Sequence, residues 1–538
     1  MLAETKTLTG AKIIIQTLKN LGVETIFGYP GGIVLSVYDE LAKQNYIKHY
    51  LVRHEQAAIH AAEGYARVSG KCGTVIVTSG PGATNIVTGL ANAYLDGTPL
   101  VAITGQVGAK LLHTDAFQEV NIVDITKSCT KKNFQVRDIK DLKPTLEKAY
   151  QTAMSGKKGP VLVDITKNVF SQTAEETQEF HFEHEEYVSR YEILHALELI
   201  KSAKRPVIIA GGGASNASKE LTRFAHILNI PVVSTMQGLG VYPSSGENYI
   251  GMIGIFGQKS AIKCIEESDL VFAVGTRFSD RITCSLKNSG IETKLVQLDI
   301  DKSEIAKNIP VIEYIAGDAK RVLTEILSML DSFSADKNWL NTAKGFAKED
   351  TLPDKRSNKL HSFEVIQEIQ KFIEGKNPVI TTEVGQHQVW AARYFKFEEP
   401  KKFITSGGLG TMGFGLPAAM GASIAQNNSP VICLAGDGSI QMNIQELATC
   451  KDYVLPVKIF ILNNGYLGMV RQFQEKSCEG RYFATKVSAP DFVKLAESYG
   501  LKGYRVENRE QILPALQSAF EYEGTAIIDF VIEPMEVL

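Results

Sequence analysis

The sequence predicts an α/β protein built from three doubly wound parallel-sheet domains. Its 538 residues are enough for roughly three domains. Short β-branched runs alternate with helical stretches along the chain, which is typical of parallel sheets that are covered on both faces. Two polar segments, 171–187 and 334–360, divide the chain. We therefore expect domains at 1–170, 188–333 and 361–538.

The composition excludes several classes of function. Lys and Arg number 57 against 60 Asp and Glu, so the net charge of −3 offers no basic field to a nucleic-acid backbone. No apolar run approaches the roughly 20 residues that span a bilayer. The first residues lack the pattern of a secretory signal. Seven cysteines without a CxxC pair favour free thiols in a reducing compartment. We expect a cytoplasmic protein without nucleic-acid or membrane partners.

Buried strands are predicted in each of the three blocks. The first block contains TVIVT and LVAIT, with a turn and a helix between them. The second contains RPVIIAGGG, PVVST, DLVFAVG and KLVQLDI. The third contains PVITTEV, KFITSGG, PVICLAGDG, VKIFILNN and GTAIIDFVI. Helical segments between these runs predict βαβ units in all three blocks.

The most specific motif lies in the third block. One strand runs into Asp437-Gly438-Ser439, and the next ends at Asn463-Asn464, with 24 residues between Gly438 and Asn463. Parallel strands would present the Asp and the Asn at their carboxyl ends, where open α/β sheets bind ligands. Mg²⁺ prefers such oxygen ligands together with phosphates. Each half alone could be a simple turn. The pair predicts a magnesium site formed by Asp437, Asn464 and the Tyr466 carbonyl.

The same motif is suited to an anion. Gly436 and Gly438 would let the backbone approach a phosphate closely, and the helix that starts near Ser439 would favour negative charge.

In the first block, Glu55 opens a helical segment, where an acid is usually only a favourable partner of the helix dipole.

The segments around Glu55 change that interpretation. GYPGG at 28–32, RHEQ at 53–56, GYAR at 64–67 and TSGPGATN at 78–85 together resemble the pyrimidine-binding domain of thiamine-diphosphate enzymes, and the GDG…NN motif resembles their diphosphate-binding domain. The resemblance implies that Glu55, with Pro30 and Gly31 beside it, holds the aminopyrimidine ring and activates the cofactor. The thiazolium ring of the cofactor then serves as an electron sink for decarboxylation of a 2-oxo acid.

The segment Gly408–Gly413 formally matches the dinucleotide pattern GxGxxG. No acidic residue follows at the distance that ribose binding requires. The resemblance implies instead that Gly410 and Met412 contact the aminopyrimidine, with Met412 as an apolar wedge. It also places Val384, Gly385, Gln386 and His387 near the diphosphate. Without that resemblance, His387 would be an ordinary strand-end histidine.

Between about residues 8 and 535 the chain most resembles the catalytic (large) subunits of acetohydroxyacid, or acetolactate, synthase. The segment DAFQE implies that Phe117 and Gln118 line the substrate site from a facing subunit. Lys167 resembles a lysine at the channel mouth, although alone it would be a solvated charge. Arg281 would hold the carboxylate of the second 2-oxo acid. Met469 and Phe473 would place that acceptor.

The central domain resembles a flavin-binding domain. Positions that match FAD contacts are Gly211, Gly212, Gly213, Thr235, Met236, Gly275, Arg277, Asp299, Asp318 and Ala319. The flavin would be structural, since the net reaction is not a redox one. Three residues depart from the family pattern: Phe473 stands for Trp, Ser279 for Asp and Phe256 for His. These departures bear on acceptor preference and flavin affinity.

The resemblance implies a transferase with thiamine diphosphate, Mg²⁺ and FAD as cofactors. It would decarboxylate pyruvate and transfer the hydroxyethyl unit to pyruvate or 2-oxobutyrate, the first common step of valine, leucine and isoleucine biosynthesis. A homodimer or homotetramer is expected, with a possible small regulatory subunit. Pyruvate oxidase and 2-oxo acid decarboxylase remain alternatives within the class. A non-catalytic nucleotide-binding protein is the alternative outside it.

Overall fold

Three six-stranded sheets form the framework of the computed structural model, which describes residues 7–175, 188–287, 294–330, 337–355 and 357–538. Within each sheet every neighbouring pair of strands is parallel. The predicted α/β fold class is therefore confirmed. None of the helices in these ranges is both long and apolar enough to cross a membrane.

The first sheet has the strand order β3-β2-β4-β5-β7-β6. Strands β4, β5 and β7 bury every residue, because helices cover both faces of the sheet. The elements of this part are β1 (Thr7–Thr9), α1 (Gly10–Asn20), β2 (Thr25–Tyr29), α2 (Leu35–Ala42), β3 (Lys48–Leu51), α3 (Glu55–Ser69), β4 (Gly73–Val77), α4 (Pro81–Thr84), α5 (Val87–Asp96), β5 (Leu100–Gln106), α6 (Ile122–Ile125), β6 (Lys132–Val136), α7 (Leu142–Met154), β7 (Pro160–Thr166), α8 (Lys167–Ser171) and β8 (Thr173–Glu175).

The second sheet has the order β11-β10-β9-β12-β13-β14. Its elements are α9 (Arg190–Ser202), β9 (Pro206–Ala210), α10 (Ser218–Leu228), β10 (Val232–Ser234), β11 (Tyr249–Met252), α11 (Lys259–Glu266), β12 (Leu270–Val274), α12 (Asp280–Lys287), β13 (Lys294–Asp299), β14 (Glu313–Ala316), α13 (Ala319–Ser328) and α14 (Asn338–Lys344).

The third sheet has the order β16-β15-β17-β18-β20-β19. Its elements are α15 (Ser362–Phe372), β15 (Val379–Thr382), α16 (Gln386–Tyr394), β16 (Phe403–Ile404), α17 (Gly415–Ala425), β17 (Val431–Gly436), α18 (Leu447–Asp452), β18 (Val457–Asn463), α19 (Gly468–Ser477), α20 (Phe492–Ser498), β19 (Lys502–Val506), α21 (Ile512–Glu521) and β20 (Ala526–Val531).

The two segments predicted as polar connections have different outcomes. Most of 171–187 lies outside the described residues. The segment 334–360 is not merely a connection, because α14 and the 3₁₀ helix Gly345–Glu349 form there. Trp339 and Phe346 bury their rings against the second sheet, and the Trp339 indole N–H donates to the Pro206 carbonyl at 2.9 Å. The sequence prediction failed because only these few apolar residues mark the segment. The domain bounds stay a prediction.

In each sheet, the order in which the chain adds strands reverses at one pair of adjacent strands. The chain proceeds from β2, β9 and β15 to one side of its sheet, and then returns to the other side at β4, β12 and β17. A crevice forms at the carboxyl ends of such strand pairs, and it is where doubly wound sheets bind ligands. The motifs singled out in the sequence follow these strands in all three sheets.

Helices α3 and α17 join the first and third sheets by direct backbone contact. A Cβ atom on Gly64 would lie 2.0 Å from the Ala418 carbonyl oxygen, and one on Gly421 would lie 1.8 Å from that of Ala61. Most of α17 is buried, because it lies between its own sheet and α3. Since Glu55 is the first residue of α3, this contact fixes the position of Glu55 relative to the third sheet.

The α3–α17 contact leaves no room for a side chain. We expect Gly421→Ala to lower the free energy of unfolding by about 2 kcal/mol or more, because the added methyl group would overlap a backbone carbonyl. Gly345→Ala is the control, since nothing lies within 4 Å of its Cβ position and its φ of −61° suits any residue. Urea unfolding of both variants measures the difference. Equal stability of the two variants would contradict the backbone contact.

Candidate active site

Glu55 lies at the amino end of α3, where its side chain is only partly buried. His54 caps the helix by accepting the Gln56 N–H on its ring nitrogen Nδ1. The Asn85 amide donates to Glu55 Oε2 at 2.9 Å. A Cβ on Gly82 would lie 3.4 Å from Glu55 Oε1, so the missing side chain leaves this oxygen accessible. One carboxylate oxygen is thus anchored and the other is open to a ligand.

The crevice between β2 and β4 opens beside this acid. Gly31 follows β2 and packs on Thr78, which follows β4; a Cβ on Gly31 would lie 2.4 Å from that of Thr78. The Thr78 and Ser79 hydroxyls are buried and have no hydrogen-bond partner among the described residues. Pro30 is exposed. Buried hydroxyls without partners are rare in folded proteins, so they favour a ligand at this crevice.

A loop with unusual backbone conformation covers the same side of the first domain. His113, Asp115 and Gln118 have φ values of 66°, 57° and 61°. The Glu119 carboxylate stabilises the loop by accepting the backbone N–H groups of His113, Thr114 and Ala116. These bonds, with that from His113 foremost, hold the pKa of Glu119 below its usual range. Backbone strain of this kind is concentrated at functional sites.

The loop presents two predicted site residues in different ways. Gln118 packs on Gly80, where a Cβ would meet Gln118 Cβ at 2.9 Å. Phe117 is 90% exposed, although aromatic side chains are usually buried. Lys167, the first residue of α8, is also exposed. Most of the Phe117 ring is therefore left uncovered by the described residues of one chain.

The Asp–Asn pair lies at the crevice of the third sheet. Register places Gly436 opposite Leu462, so the segments after β17 and β18 are adjacent. Asp437 Oδ2 accepts the Gly465 N–H at 3.0 Å, and burial raises the pKa of Asp437 to about 6. Asn464 Oδ1 accepts the Tyr466 N–H at 2.9 Å. A cation here would compensate the cost of the buried carboxylate.

A cavity of about 100 Å³ lies directly at this pair. Its lining includes Val384, Gly385, Gln386, His387, Met412, Gly436, Asp437, Gly438, Ser439, Asn464, Tyr466 and Met469. Among the described residues no group of three or more His, Cys, Asp or Glu is placed so that it could hold a metal ion, so a metal held here would also need amide and carbonyl oxygens.

His387 lies in α16, not at a strand end. Burial lowers its pKa to about 3, so the ring is neutral, and its Nε2 has no hydrogen-bond partner among the described residues. A Cβ on Gly436 would lie 3.1 Å from His387 Nδ1. The ring therefore closes one wall of the small cavity and leaves a polar atom for a ligand.

The glycine-rich segment 406–413 is held by α5 of the first domain. The Ser406 hydroxyl donates to Asn92 Oδ1 and accepts the N–H groups of Gly410, at 3.0 Å, and Thr411, at 2.8 Å. The Asp96 carboxylate accepts the N–H groups of Gly407 and Gly408. Since Gly410 and Met412 belong to this segment, the first domain sets their position.

Arg67, near the end of α3, strengthens the same connection. Its guanidinium forms a 2.7 Å ion pair with Asp96 and donates to the Thr405 carbonyl at 2.8 Å. Arg67 lies twelve residues after Glu55, which is about 18 Å along a helix. The contact of Arg67 with Thr405 and Glu55 therefore lie at opposite ends of α3.

A second cavity of about 880 Å³ opens between the second sheet and this segment. Of the predicted flavin contacts, the lining includes Gly212, Gly213, Thr235, Met236, Gly275, Arg277, Asp299, Asp318 and Ala319, together with Phe256 and Ser279. Gly211, the remaining predicted flavin contact, does not line the cavity; a Cβ atom on it would lie 2.2 Å from the Gly275 carbonyl oxygen. Asp318 caps α13 by accepting the Arg321 N–H, so that helix begins at the cavity.

The predicted site residues thus fall into two groups. Gly410, Met412, Arg281, Met469 and Phe473 share the large cavity, and Met412 and Met469 also line the small one. Among the described residues that line the two cavities, none belongs to the group of Glu55, Pro30, Gly31, Phe117, Gln118 and Lys167. In one chain, these two cavities are therefore lined by the second group and not by the first.

Sequence reasoning missed several residues that shape these halves. Asn85, within the quoted TSGPGATN segment, anchors Glu55. Asn92 and Ser406 are 314 positions apart, so no local pattern could have paired them. Glu446, which contacts the backbone just before Glu55, was also missed. In the sequence, Glu446 looks like an ordinary solvent-exposed acid of a helical segment, so no local pattern singles it out.

Models of the thiamine pyrophosphate enzyme family match three parts of the chain. The N-terminal TPP binding domain matches residues 8–125 and the central domain matches 193–326. The C-terminal TPP binding domain matches 383–530.

Curated relatives extend over nearly the whole chain. The chain is 42% identical to the acetolactate synthase large subunit of Haemophilus influenzae, over 97% of this chain and 94% of that protein. It is 41% identical to the acetolactate synthase isozyme 3 large subunit of Escherichia coli, over 96% and 92%. It is also 41% identical to a probable acetolactate synthase large subunit of Methanococcus aeolicus, over 99% and 93%.

The hydroxyl of Ser406 should be required for the shape of the glycine-rich segment. We expect Ser406→Ala to lower the free energy of unfolding by about 1–3 kcal/mol, because the Gly410 and Thr411 N–H groups lose their acceptor. Ser429→Ala is the control, since that exposed hydroxyl donates only to the nearby Gln426 carbonyl. Urea unfolding followed by circular dichroism compares the two. A loss no larger than that of the control would contradict this arrangement.

Proposed function

The chain belongs to the acetolactate synthase large subunits, which are thiamine-diphosphate enzymes, and we propose that it joins pyruvate to a second 2-oxo acid with loss of CO₂. Pyruvate as acceptor gives 2-acetolactate, and 2-oxobutyrate gives 2-aceto-2-hydroxybutyrate. The formation of these products is the first common step in the biosynthesis of branched-chain amino acids. The observation that carries the proposal is that Glu55 lies at the crevice of the first sheet and that Asp437 and Asn464 line a cavity at the crevice of the third.

The residues of both crevices fit thiamine diphosphate. When bound, this cofactor supplies the ring that accepts electrons during decarboxylation. Glu55 would hold the aminopyrimidine through the oxygen that Asn85 leaves open. Gly410 and Met412 would contact the same ring from the other half. The glycines on either side of Asp437 and the unpaired Nε2 of His387 would face the diphosphate.

Magnesium would connect the diphosphate to the protein. Asp437 and Asn464 line the same cavity and are already oriented by the backbone N–H groups of Gly465 and Tyr466. With the Tyr466 carbonyl they would provide three oxygen ligands, and phosphate and water oxygens would complete six. The buried Asp437 carboxylate gains stabilisation from the cation.

Two chains would form each complete site. Glu55 lines neither the cavity of the glycine-rich segment nor that of Asp437 and Asn464 in its own chain, which favours an acid supplied by a second chain. Large apolar side chains are exposed in both halves: Phe117 is 90% exposed and Phe483 is 82% exposed. We therefore propose a homodimer as the smallest active unit, with a homotetramer as a pair of such dimers.

The large cavity would position the acceptor. Arg281 is exposed in the first turn of α12 and would bind the acceptor carboxylate with its planar guanidinium. Met469 and Phe473 lie on one face of α19 and would limit the space around the acceptor side chain. From the partner chain, Phe117 and Gln118 would complete this wall. Lys167 would lie nearer the entrance.

FAD is proposed for the remainder of that cavity. Its volume of about 880 Å³ is in the range of cofactor pockets. Gly212 and Gly213 at the end of β9, and the amino end of α13 at Asp318, would face the diphosphate of the flavin. Its role would be structural, since the net reaction transfers no electrons. A smaller regulatory subunit is proposed because the relatives are named large subunits.

Glu55→Gln tests the role of the acid. We expect the variant to retain thiamine diphosphate in the presence of Mg²⁺ but to lose at least about 100-fold in kcat, because an amide cannot exchange a proton with the ring. Glu24→Gln is the control, since Glu24 is an exposed acid of the same domain that pairs only with Lys71. Turnover of the Glu55 variant near that of the control would remove Glu55 from the mechanism.

Product analysis tests the reaction itself. The unaltered protein is incubated with pyruvate alone and with a pyruvate and 2-oxobutyrate mixture, each with and without added FAD. The proposal predicts acetohydroxyacids as products, without oxygen uptake. Free acetaldehyde as the main product, or consumption of oxygen, would assign a decarboxylase or an oxidase instead.

A further inference from the structure

The side chain of Glu446 connects the third domain to the backbone that precedes Glu55. Glu446 ends the 3₁₀ helix Ile440–Glu446, which follows the Asp437–Ser439 loop, and it is fully buried. Its Oε1 accepts the Arg53 N–H at 2.9 Å. The His54 N–H also donates to this carboxylate. One buried acid thus binds two successive backbone N–H groups, and the next residue is Glu55.

Neighbouring contacts hold the same short segment. The Thr449 hydroxyl donates to Glu446 Oε2 at 2.7 Å and lies 3.2 Å from the Leu51 carbonyl oxygen. The Tyr453 hydroxyl accepts the Leu51 N–H at 2.9 Å. These residues belong to α18 and its end, so residues 51–54 are held from one side by the third domain.

We propose that Glu446 is a positioning residue for Glu55: by binding the N–H groups of Arg53 and His54 it fixes the peptide planes from which α3 begins. The proposal rests on the proposed role of Glu55. A side chain at a helix start takes its direction from those planes, and catalytic groups must be held within fractions of an ångström. The Asn85 amide then fixes the carboxylate of Glu55, while Glu446 fixes the backbone from which the Glu55 side chain extends.

The charge of Glu446 should matter near neutral pH. Burial raises its pKa to about 7, although the Thr449 hydroxyl and the Arg53 N–H favour the ionised form. The other titratable groups nearby are Arg53, His54 and Glu55 on the first domain, and Cys450, Asp452 and Tyr453 on α18 and its end. When the pH falls through 7, the Glu446 carboxylate gains a proton, and one of its oxygens becomes an O–H donor. The hydrogen bond from the backbone N–H of residue 53 or 54 to that oxygen is then lost.

Glu446→Gln is the direct test. We expect kcat to fall at least about ten-fold with KM for pyruvate within about two-fold, because the substrate surface is unchanged while the acid is misplaced. In the protein without cofactor, amide hydrogens of residues 53–57 should exchange at least about ten-fold faster, whereas those of α17 should not change. The exchange measurement does not depend on catalysis, so it stands even if the proposed reaction is wrong.

Thr449→Val provides a second variant in case Glu446→Gln does not fold. It keeps the carboxylate but removes a hydrogen bond that favours its ionised form. The acid limb of the kcat profile should therefore move to higher pH. Asp452→Asn is the control, since Asp452 is a half-exposed acid on α18 that pairs with the Arg53 guanidinium and not with the backbone.

The outcomes separate positioning from simple stability. Loss of kcat with faster exchange confined to residues 53–57, and a shifted acid limb in Thr449→Val but not in Asp452→Asn, would support the proposal. A kcat of Glu446→Gln within two-fold of the unaltered protein would overturn it. So would an exchange increase that extends through the whole first domain, because Glu446 would then only stabilise the fold. If the unaltered protein forms no acetohydroxyacid, the proposed function fails while the exchange result still tests the contact.

Discussion

Helices α3 and α17 touch backbone to backbone, and the geometry of both half-sites depends on that contact. Glycines at 64 and 421 allow it, because any side chain there would overlap a carbonyl oxygen of the opposite helix. The first and third sheets are thereby held in one orientation, with Glu55 at one end of α3 and Arg67 near the other. Arg67 and Asp96 hold the glycine-rich segment, while Glu446 holds the backbone before Glu55. Glu55 lines neither of the two cavities of its own chain, and the proposed two-chain site would supply this acid from a second copy.

The same crevice recurs in all three sheets and accounts for where the motifs lie. In a doubly wound sheet the carboxyl ends of two strands diverge where the chain reverses direction, and ligands bind there. Glycine occurs at these points because other groups approach the backbone closely: the Thr78 side chain at Gly31, the Gly275 carbonyl at Gly211 and the His387 ring at Gly436. The first crevice offers an acid, the second a wide cavity and the third an Asp–Asn pair. Three copies of one topology thus carry three different sets of side chains, according to the residues that follow the strands.

The sequence predicted the sheets, and it could single out Asp437, Asn464 and the glycine runs because residues that follow strand ends form local patterns. It did not predict α14, whose few apolar residues lie in a polar stretch. Without the family resemblance, His387 would have been taken for a strand-end histidine, whereas the residue lies in α16. The pairs of Asn92 with Ser406 and of Glu446 with Arg53 join residues more than 300 positions apart. Such contacts arise only when whole domains pack, so one sequence without tertiary context cannot reveal them.

Mixing two inactive chains tests the two-chain site most directly. In a hybrid dimer of Glu55→Gln and Asp437→Asn chains, one site would receive both altered residues and the other would receive neither. Each variant alone should be inactive, and the mixture, after dissociation and reassembly, should recover acetolactate formation of about half the unaltered rate per hybrid dimer. If each chain instead carried its own complete site, every site in the mixture would lack one essential group. No recovered activity, with hybrid dimers present by native mass spectrometry, would show that the site is not shared between two chains.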